Sequence, residues 1–226
     1  IYDILVEEGK ADPRMGLSEN HYADYWNLLA NKLPPDSATG SDPENMHKRQ
    51  FEFLVEVCKL KTTDYFLDIG VGSLRGTRLI IPYLEEGHFF GMDVASDLVD
   101  FSRKRVASTP EFAAKKPRLE VDDRFRIQQL FPGQTYDFIF SKSVLTHLYP
   151  GSVWEVLTRV RPVIRPGGVY YATIFKDNDT KVFRGDIGKI WFNTDWLAET
   201  ADVCSWKMTE IGKTNIGQYM VRFDPI

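Results

Sequence analysis

Cysteine is scarce in this 226-residue chain: only Cys58 and Cys204 occur, far apart and without a CxxC spacing. That excludes a disulfide framework and a zinc cluster of the usual spacing, and makes a reducing cytoplasm the expected setting. Long apolar runs are missing as well, so no membrane-spanning segment is expected. The opening residues, Ile1-Tyr-Asp-Ile-Leu-Val-Glu-Glu, lack the basic start and cleavage site of a secretory signal. Positive charge is not in excess: 28 Lys and Arg stand against 32 Asp and Glu, a net charge of −4. No broad field would gather phosphates, and nucleic acid is not the expected partner. Internal repeats and low-complexity segments are also lacking. Because residue 1 is isoleucine rather than methionine, the sequence is expected to be either trimmed or a module cut from a longer chain.

What is present suits an ordinary globular domain, with 43% hydrophobic, 27% charged and 13% aromatic residues. The length fits one α/β domain with a small appendage. His21–Leu33 reads as an amphipathic helix, with Tyr22, Trp26, Leu29 and Leu33 at helical spacing, stopped by Pro34-Pro35. Ser41-Asp-Pro-Glu44 resembles a capping box that opens a second helix running to about Leu60. Residues 1–60 are therefore expected to form a helical cap on a domain spanning 61–226.

From Tyr65 onward strand-like and helix-like segments alternate, the pattern of βαβ units. Strands are expected at 65–69, 88–93, about 124–128, 136–140 and 168–175, with helices at about 75–85, 96–107 and 152–163. The last helix carries its own capping box, Ser152-Val-Trp-Glu155. Ala107–Arg118 reads as an irregular loop, residues 176–192 as a flexible insert, and Asp195–Val203 as a short helix. Trp206–Ile211 and Gln218–Phe223 would close the chain as an antiparallel hairpin.

The most informative string is Tyr65-Phe-Leu-Asp68-Ile-Gly70-Val-Gly72-Ser-Leu-Arg-Gly76. A buried strand runs into glycines where the backbone must turn sharply and lie close to a ligand. The spacing is GxGxxxG rather than the dinucleotide GxGxxG, and no Lys-Ser/Thr follows as a phosphate loop would require. Asp93 ends the next strand, where a carboxylate can accept both hydroxyls of a ribose and repel a 2′-phosphate. The alternative is that the glycines merely close a tight turn and Asp93 caps the next helix, a role for which Ser96 is better placed.

These residues resemble the class I S-adenosylmethionine-dependent methyltransferases. Asp68–Gly76 looks like their first motif and Asp93 like their ribose-binding acid. Tyr136-Asp-Phe-Ile-Phe, Ser141-Lys-Ser-Val-Leu-Thr-His-Leu148 and Arg165-Pro-Gly-Gly168 follow in the family's order, over roughly residues 61–175. The resemblance implies an α/β Rossmann-like, doubly wound, seven-stranded sheet, mostly parallel with a terminal antiparallel hairpin. It implies S-adenosylmethionine as cofactor, with the backbone of Gly70, Gly72 and Gly76 at its amino-acid end and Asp68 behind them. Asp93 and Val94 would meet the ribose, and Gln128 or Gln129 the adenine amino group, with Asp122 and Asp123 close by. Asp93→Ala is expected to weaken cofactor binding and leave the fold intact.

Methyl transfer from a sulfonium is an in-line displacement, so the protein's task is positioning and exclusion of water. Ser141 and Lys142, after the fourth strand, and His147 one turn on are the catalytic candidates, with Ser141 also beside the cofactor. His147 titrates in the range of a general base, or is a packed helix histidine. Lys142 attracts an anionic acceptor, or projects to solvent. The strand end carries no carboxylates for a hard cation, so no metal is expected. The family's NPPY-like string is missing, which disfavours planar nitrogen acceptors. Tyr22, Tyr25 and Trp26 are candidate walls or core contacts, and 176–192 a candidate lid. The expected activity is methylation of an oxygen or nitrogen on a small molecule. The alternatives are protein or RNA methylation, an inactive cofactor-binding module of a larger synthase, and a nicotinamide-dependent oxidoreductase, which the glycine spacing disfavours.

Overall fold

Eleven strands, numbered in chain order, appear among the described residues. They are β1 (Ala11–Asp12), β2 (Gly16–Leu17), β3 (Phe66–Ile69), β4 (Phe89–Asp93), β5 (Arg118–Val121), β6 (Tyr136–Ser141), β7 (Ile164–Lys176), β8 (Phe183–Asp186), β9 (Lys189–Phe192), β10 (Trp206–Lys213) and β11 (Tyr219–Pro225). The computed structural model describes residues 11–12, 16–17, 22–38, 45–186, 188–214 and 216–226. Two compact units divide the chain: Trp26–Asp123, and Ile1–Tyr25 together with Arg124–Ile226.

In the unit Trp26–Asp123, β4 pairs in parallel with both β3 and β5. All four residues of β3 and all five of β4 are buried, the continuous burial of strands covered on both faces. β5 is less covered, with Leu119 buried while Arg118 and Val121 are exposed. The third strand thus lies at Arg118–Val121 and not at 124–128. The expected loop Ala107–Arg118 is mostly ordered: the helix Ser96–Ser108 leads into a helical turn, Pro110–Ala113, which starts with proline in its favoured first-turn position. Ile127–Leu130, read as strand, is a helical turn with only Ile127 buried. One apolar anchor between exposed neighbours satisfies a single turn as well as it does a strand.

Two helices also differ from expectation. The segment 75–85 is regular helix only at Ile80–Tyr83, because the preceding residues are held in consecutive turns. The helix expected to start at a Ser152 capping box is Pro150–Val160, with Tyr149 at its N-cap and no side-chain cap bond. Pro150 starts the helix earlier, which places Ser152 inside it. The helix Tyr22–Lys32 lies where expected. The second cap helix is Met46–Glu52, continued by a π-helical turn Phe53–Val57, while the Ser41–Glu44 capping box lies outside the described residues. No helix among the described residues is long and apolar enough to cross a membrane.

In the other unit, β6 and β7 are parallel, β11 lies antiparallel to β7, and β10 antiparallel to β11. The terminal hairpin is therefore present. Its core centres on Trp206, which is fully buried, donates its indole N–H to the Leu157 carbonyl at 2.9 Å and packs edge-on to Tyr170. The segment 176–192 forms a second hairpin: β8 and β9 are antiparallel, and β9 runs parallel to the end of β7 through Phe175 and Trp191. Beyond the seven strands expected, β1, β2, β8 and β9 are additional.

Gly168 lies where β7 enters its buried run. A Cβ there would meet the main-chain oxygens of Tyr136 at 2.9 Å and of Arg165 and Asp137 at 3.0 Å. None of the three is a flexible side-chain end. Gly168→Ala is expected to lower stability by about 1–3 kcal/mol, read as a lower urea midpoint with unchanged slope. An unchanged midpoint would show that this backbone gives way freely.

Candidate active site

The glycine turn begins where β3 ends. Gly70 and Gly72 hold φ of 80° and 54°, a region that side chains with a Cβ resist. The N–H groups of Gly70 and Val71 donate to the Met92 carbonyl at 2.8 and 3.0 Å, tying the turn to β4. Leu74 also takes a left-handed φ, 63°, and is fully buried. Strain of that kind persists only where the surroundings fix it.

Four side chains do so. Asp93 Oδ2 accepts from Gly72 N–H at 2.8 Å, and its Oδ1 from Ala95 N–H at 2.9 Å. Ser102 donates to the Gly72 carbonyl at 2.7 Å. Arg105 donates to the Ser73 carbonyl at 2.7 Å and grips Asp36 in a bidentate pair at 2.8 and 3.0 Å. Ser73 in turn donates from Oγ to Asp36 Oδ1 at 2.7 Å. The Arg105 bond holds the Asp36 carboxyl below its ordinary range, helped by Ser73 and by the charge of Arg75, against partial burial.

Asp93 sits at the end of β4, 9% exposed. Burial pushes its carboxyl above the ordinary range, opposed by the N–H donors of Ala95, Gly72 and Val94. It therefore performs the work assigned to the alternative reading, holding the turn and the start of the helix Ser96–Ser108. Three donors still leave acceptor capacity on a carboxylate, which has about four lone-pair sites. Ser96, the expected cap, is instead the first helical residue, and its hydroxyl donates to Asn27 Oδ1 at 3.3 Å. Asp68 is buried within β3, in register with Gly91, and Gly76 lies half-buried at the far limb of the turn.

The residue directly after the third strand is Asp122, buried, with its N–H donating to the Asp93 carbonyl at 3.0 Å. Gln128 and Gln129, chosen for that place, are exposed on the helical turn Ile127–Leu130. That choice is corrected here, because the strand it relied on ends at Val121.

In the unit that includes Arg124–Ile226, the residues after β6 form a second strained turn. Ser143 holds φ 56°, donates its N–H to Thr173 Oγ1 at 2.7 Å, and exchanges hydrogen bonds with the buried Gln218 amide at 2.9 and 3.1 Å. Ser141 is fully buried at the end of β6, and its hydroxyl is bonded to the Tyr170 hydroxyl at 2.8 Å. Lys142 is half-buried.

His147 ends a 3-10 turn, Leu145–His147, and its Nδ1 is hydrogen-bonded to the Gly188 carbonyl at the tip of the β8–β9 hairpin. A carbonyl only accepts, so Nδ1 carries the proton and the neutral ring presents Nε2 as an acceptor. Burial lowers the His147 pKa, the charge of Lys189 lowers it further, and the Gly188 bond opposes both. Gly188 itself holds φ 64° beneath Tyr25: a Cβ there would lie 3.7 Å from the Tyr25 hydroxyl. Trp26, in the other unit, packs with Leu29 and Ala30 on Ala95 and Leu98, the core contact its spacing allowed. The side chain of Tyr22 lies outside the described residues.

A family model described as methyltransferase domain matches residues 67–170, a little under half of the chain and inclusive of the glycine turn, Asp93 and His147. The solved CcbJ methyltransferase of Streptomyces caelestis is similar in fold, with a TM-score of 0.67 over 92% of this chain and 99% of that one, at 13% identity. Residues 67–170 thus form a methyltransferase domain. The glycopeptide N-methyltransferase MtfA, solved with (S)-adenosyl-L-methionine, is similar to it at a TM-score of 0.63, with 11% identity and 83% of this chain covered against 88% of that one. Among curated relatives, a probable methyltransferase, ltbC of Aspergillus luteorubrus, is 27% identical over 113 residues, or 49% of this chain. The match spans 39% of that relative's own length. The methyltransferase domain thus has the expected Rossmann-like α/β fold, mostly parallel with a terminal antiparallel hairpin.

Of the residues that fix the turn, Asp36, Ser102 and Arg105 were not singled out from sequence. Ser102 and Arg105 are three apart and share a helix face, a detectable pattern. Asp36 lies 69 positions from Arg105 and offered no signal.

Asp93→Ala removes the acceptor for three N–H groups at a buried turn. Against the expectation of an intact fold, it should cost about 2–3 kcal/mol of stability, measurable by thermal unfolding of the ligand-free protein. A melting temperature equal to that of the parent would return Asp93 to a role confined to ligand binding.

Proposed function

We propose that this chain transfers the methyl group of S-adenosylmethionine to an oxygen or nitrogen of a small-molecule acceptor. The observation that carries the reading is the Asp93 carboxylate, held against Gly72 at the end of β4 within the methyltransferase-matched segment. The cofactor supplies an electrophilic methyl on sulfur. The chain's part is to bind and orient. In this reading Gly70 and Gly72 offer main chain to the amino-acid end of the cofactor. Asp93 accepts from a ribose hydroxyl with the one lone-pair site its three backbone donors leave, and Val94 lies beside it. Asp122 takes the adenine amino group, the place first given to Gln128 or Gln129. The donor set fits an unphosphorylated nucleoside with a charged tail, and no metal enters the proposed chemistry.

For the acceptor, His147 is the proposed base. Its Nδ1 proton is committed to Gly188, so Nε2 is the atom that receives the acceptor's proton as the carbon–nucleophile bond forms. Lys142 and the backbone of Ser141 adjoin the reacting groups in this reading. The names of the solved relatives, which include a glycopeptide N-methyltransferase, are compatible with both oxygen and nitrogen acceptors.

Calorimetric titration with S-adenosylmethionine, S-adenosylhomocysteine and NAD tests the cofactor half. The two adenosyl ligands are expected to bind in the micromolar range and NAD not at all. A folded protein that binds neither would remove the reading. The base is tested by pH. His147 must be neutral to act, and its pKa is lowered, so activity should fall only as the pH drops below the ordinary imidazole range of about 6.5. His147→Gln should remove that acidic limb and reduce turnover about 100-fold or more. A parent limb lying above the ordinary imidazole range, or unchanged turnover in the variant, would take His147 out of the mechanism.

A further inference from the structure

A buried polar atom without a hydrogen-bond partner is costly, and in a folded protein each one asks for a reason. Two such atoms flank the far limb of the glycine turn. Gln50, 9% exposed on the helix Met46–Glu52, has no partner for its amide oxygen, and Thr77, 1% exposed, has none for its hydroxyl. Gly76 precedes Thr77 and packs against the Gln50 amide. A Cβ on Gly76 would come within 3.2 Å of Gln50 Oε1 and 3.3 Å of its Nε2, so the amide is packed against the glycine itself. The Thr77 carbonyl is already used, accepting from Ile80 and Ile81 at the start of the next helix. Its hydroxyl is not.

The chemistry of these atoms selects a ligand. An amide oxygen only accepts, and its strongest partner is a charged N–H donor. An isolated cation would be unwelcome here, because the neighbouring Arg75 is buried and its positive charge reaches as far as Asp36. A zwitterion resolves the conflict, since its carboxylate answers the positive charge and its ammonium answers the amide oxygen. We infer that Gln50 and Thr77 receive the amino-acid end of the adenosyl cofactor, Gln50 Oε1 accepting from its ammonium and the Thr77 hydroxyl donating to its carboxylate. The inference rests on the cofactor reading above. It explains why the third glycine of the motif must lack a side chain: the Gln50 amide occupies that space.

The test uses two ligands that differ only at this end. S-adenosylhomocysteine carries the amino acid, whereas 5′-methylthioadenosine keeps the adenosine and thioether without it. Gln50→Met, which preserves length and removes the acceptor, should bind S-adenosylhomocysteine about tenfold more weakly. Its affinity for methylthioadenosine should be unchanged. The ligand-free melting temperature of Gln50→Met should stay level or rise, because the unanswered oxygen is gone. Thr77→Val should behave in the same way, and it carries the test if Gln50→Met fails to fold. Parent-like binding of S-adenosylhomocysteine by both variants, or equal losses for the two ligands, would overturn the assignment while leaving the cofactor reading in place. Absence of binding to either ligand in the parent would instead remove the cofactor reading, and this inference with it.

Discussion

The Asp93 carboxylate is the group on which the turn after β3 depends. It lies at the end of β4 and accepts N–H bonds from Gly72, from Val94 and from Ala95, so one side chain fixes the exit of one strand and the entry to a helix. A buried carboxylate is tolerable only when its lone pairs are met by donors. That requirement ties two segments 21 residues apart in sequence into one arrangement. Asp93 makes no cap bond to the helix itself, whose N-cap is Ala95; it holds that N-cap residue in place through the Ala95 N–H. A carboxylate that has spent three acceptor positions on backbone is rigidly aimed.

Strain is distributed in keeping with that role. Leu74 and Ser143 both take left-handed backbone conformations that cost a residue with a Cβ about 1–2 kcal/mol. Each sits just past the carboxyl end of a strand, where α/β folds place their ligands. Each is held by side chains from outside its own turn: Ser102, Arg105 and Asp36 act around Gly72 and Ser73, and Thr173 and Gln218 act on Ser143. The Asp36–Arg105 pair is partly exposed, with side chains 48% and 25% accessible. Its charge attraction alone therefore adds little. Its value is geometric, since the bidentate fork directs Arg105 onto the Ser73 carbonyl.

Sequence reasoning succeeded where a pattern was local and failed where a choice depended on distant residues. The buried strands β3, β4 and β6 announced themselves as apolar runs ended by turn residues, and Gly70, Gly72 and Asp93 followed from position alone. The third strand did not, because Arg118-Leu-Glu-Val and Arg126-Ile-Gln-Gln each offer one apolar residue among polar neighbours. Only pairing with β4 distinguishes them. The misplaced strand is what put Gln128 and Gln129, rather than Asp122, in the position after the third strand. The start of the helix Pro150–Val160 was missed because a capping-box match at Ser152 outweighed a proline whose fixed φ suits the first turn. Gln50 could not have been read at all. A glutamine on an amphipathic helix looks like a solvated residue until its oxygen is found buried and unanswered.

The chemistry explains why these contacts are arranged as they are. Displacement at a sulfonium methyl asks the protein to hold two reactants in line and to stabilise little new charge. Residues that hold an adenosyl group are therefore expected on rigid strand ends, and the two residues proposed for it, Asp93 and Asp122, lie at the ends of β4 and β5 with their main chains bonded to each other at 3.0 Å. A residue that meets the acceptor faces a different demand, because the acceptor must enter, react and leave. His147, the proposed base, is a neutral imidazole whose tautomer is fixed by the carbonyl of Gly188 on the β8–β9 hairpin rather than by a carboxylate. A carboxylate partner would raise the basicity of the ring and favour the imidazolium at neutral pH. The Gly188 carbonyl orients the ring and opposes the lowering of its pKa, while burial first and the nearby charge of Lys189 second keep it neutral. The hairpin that supplies this carbonyl stands in sequence between β7 and the helix Thr194–Val203, so the tautomer of His147 depends on where the hairpin holds Gly188.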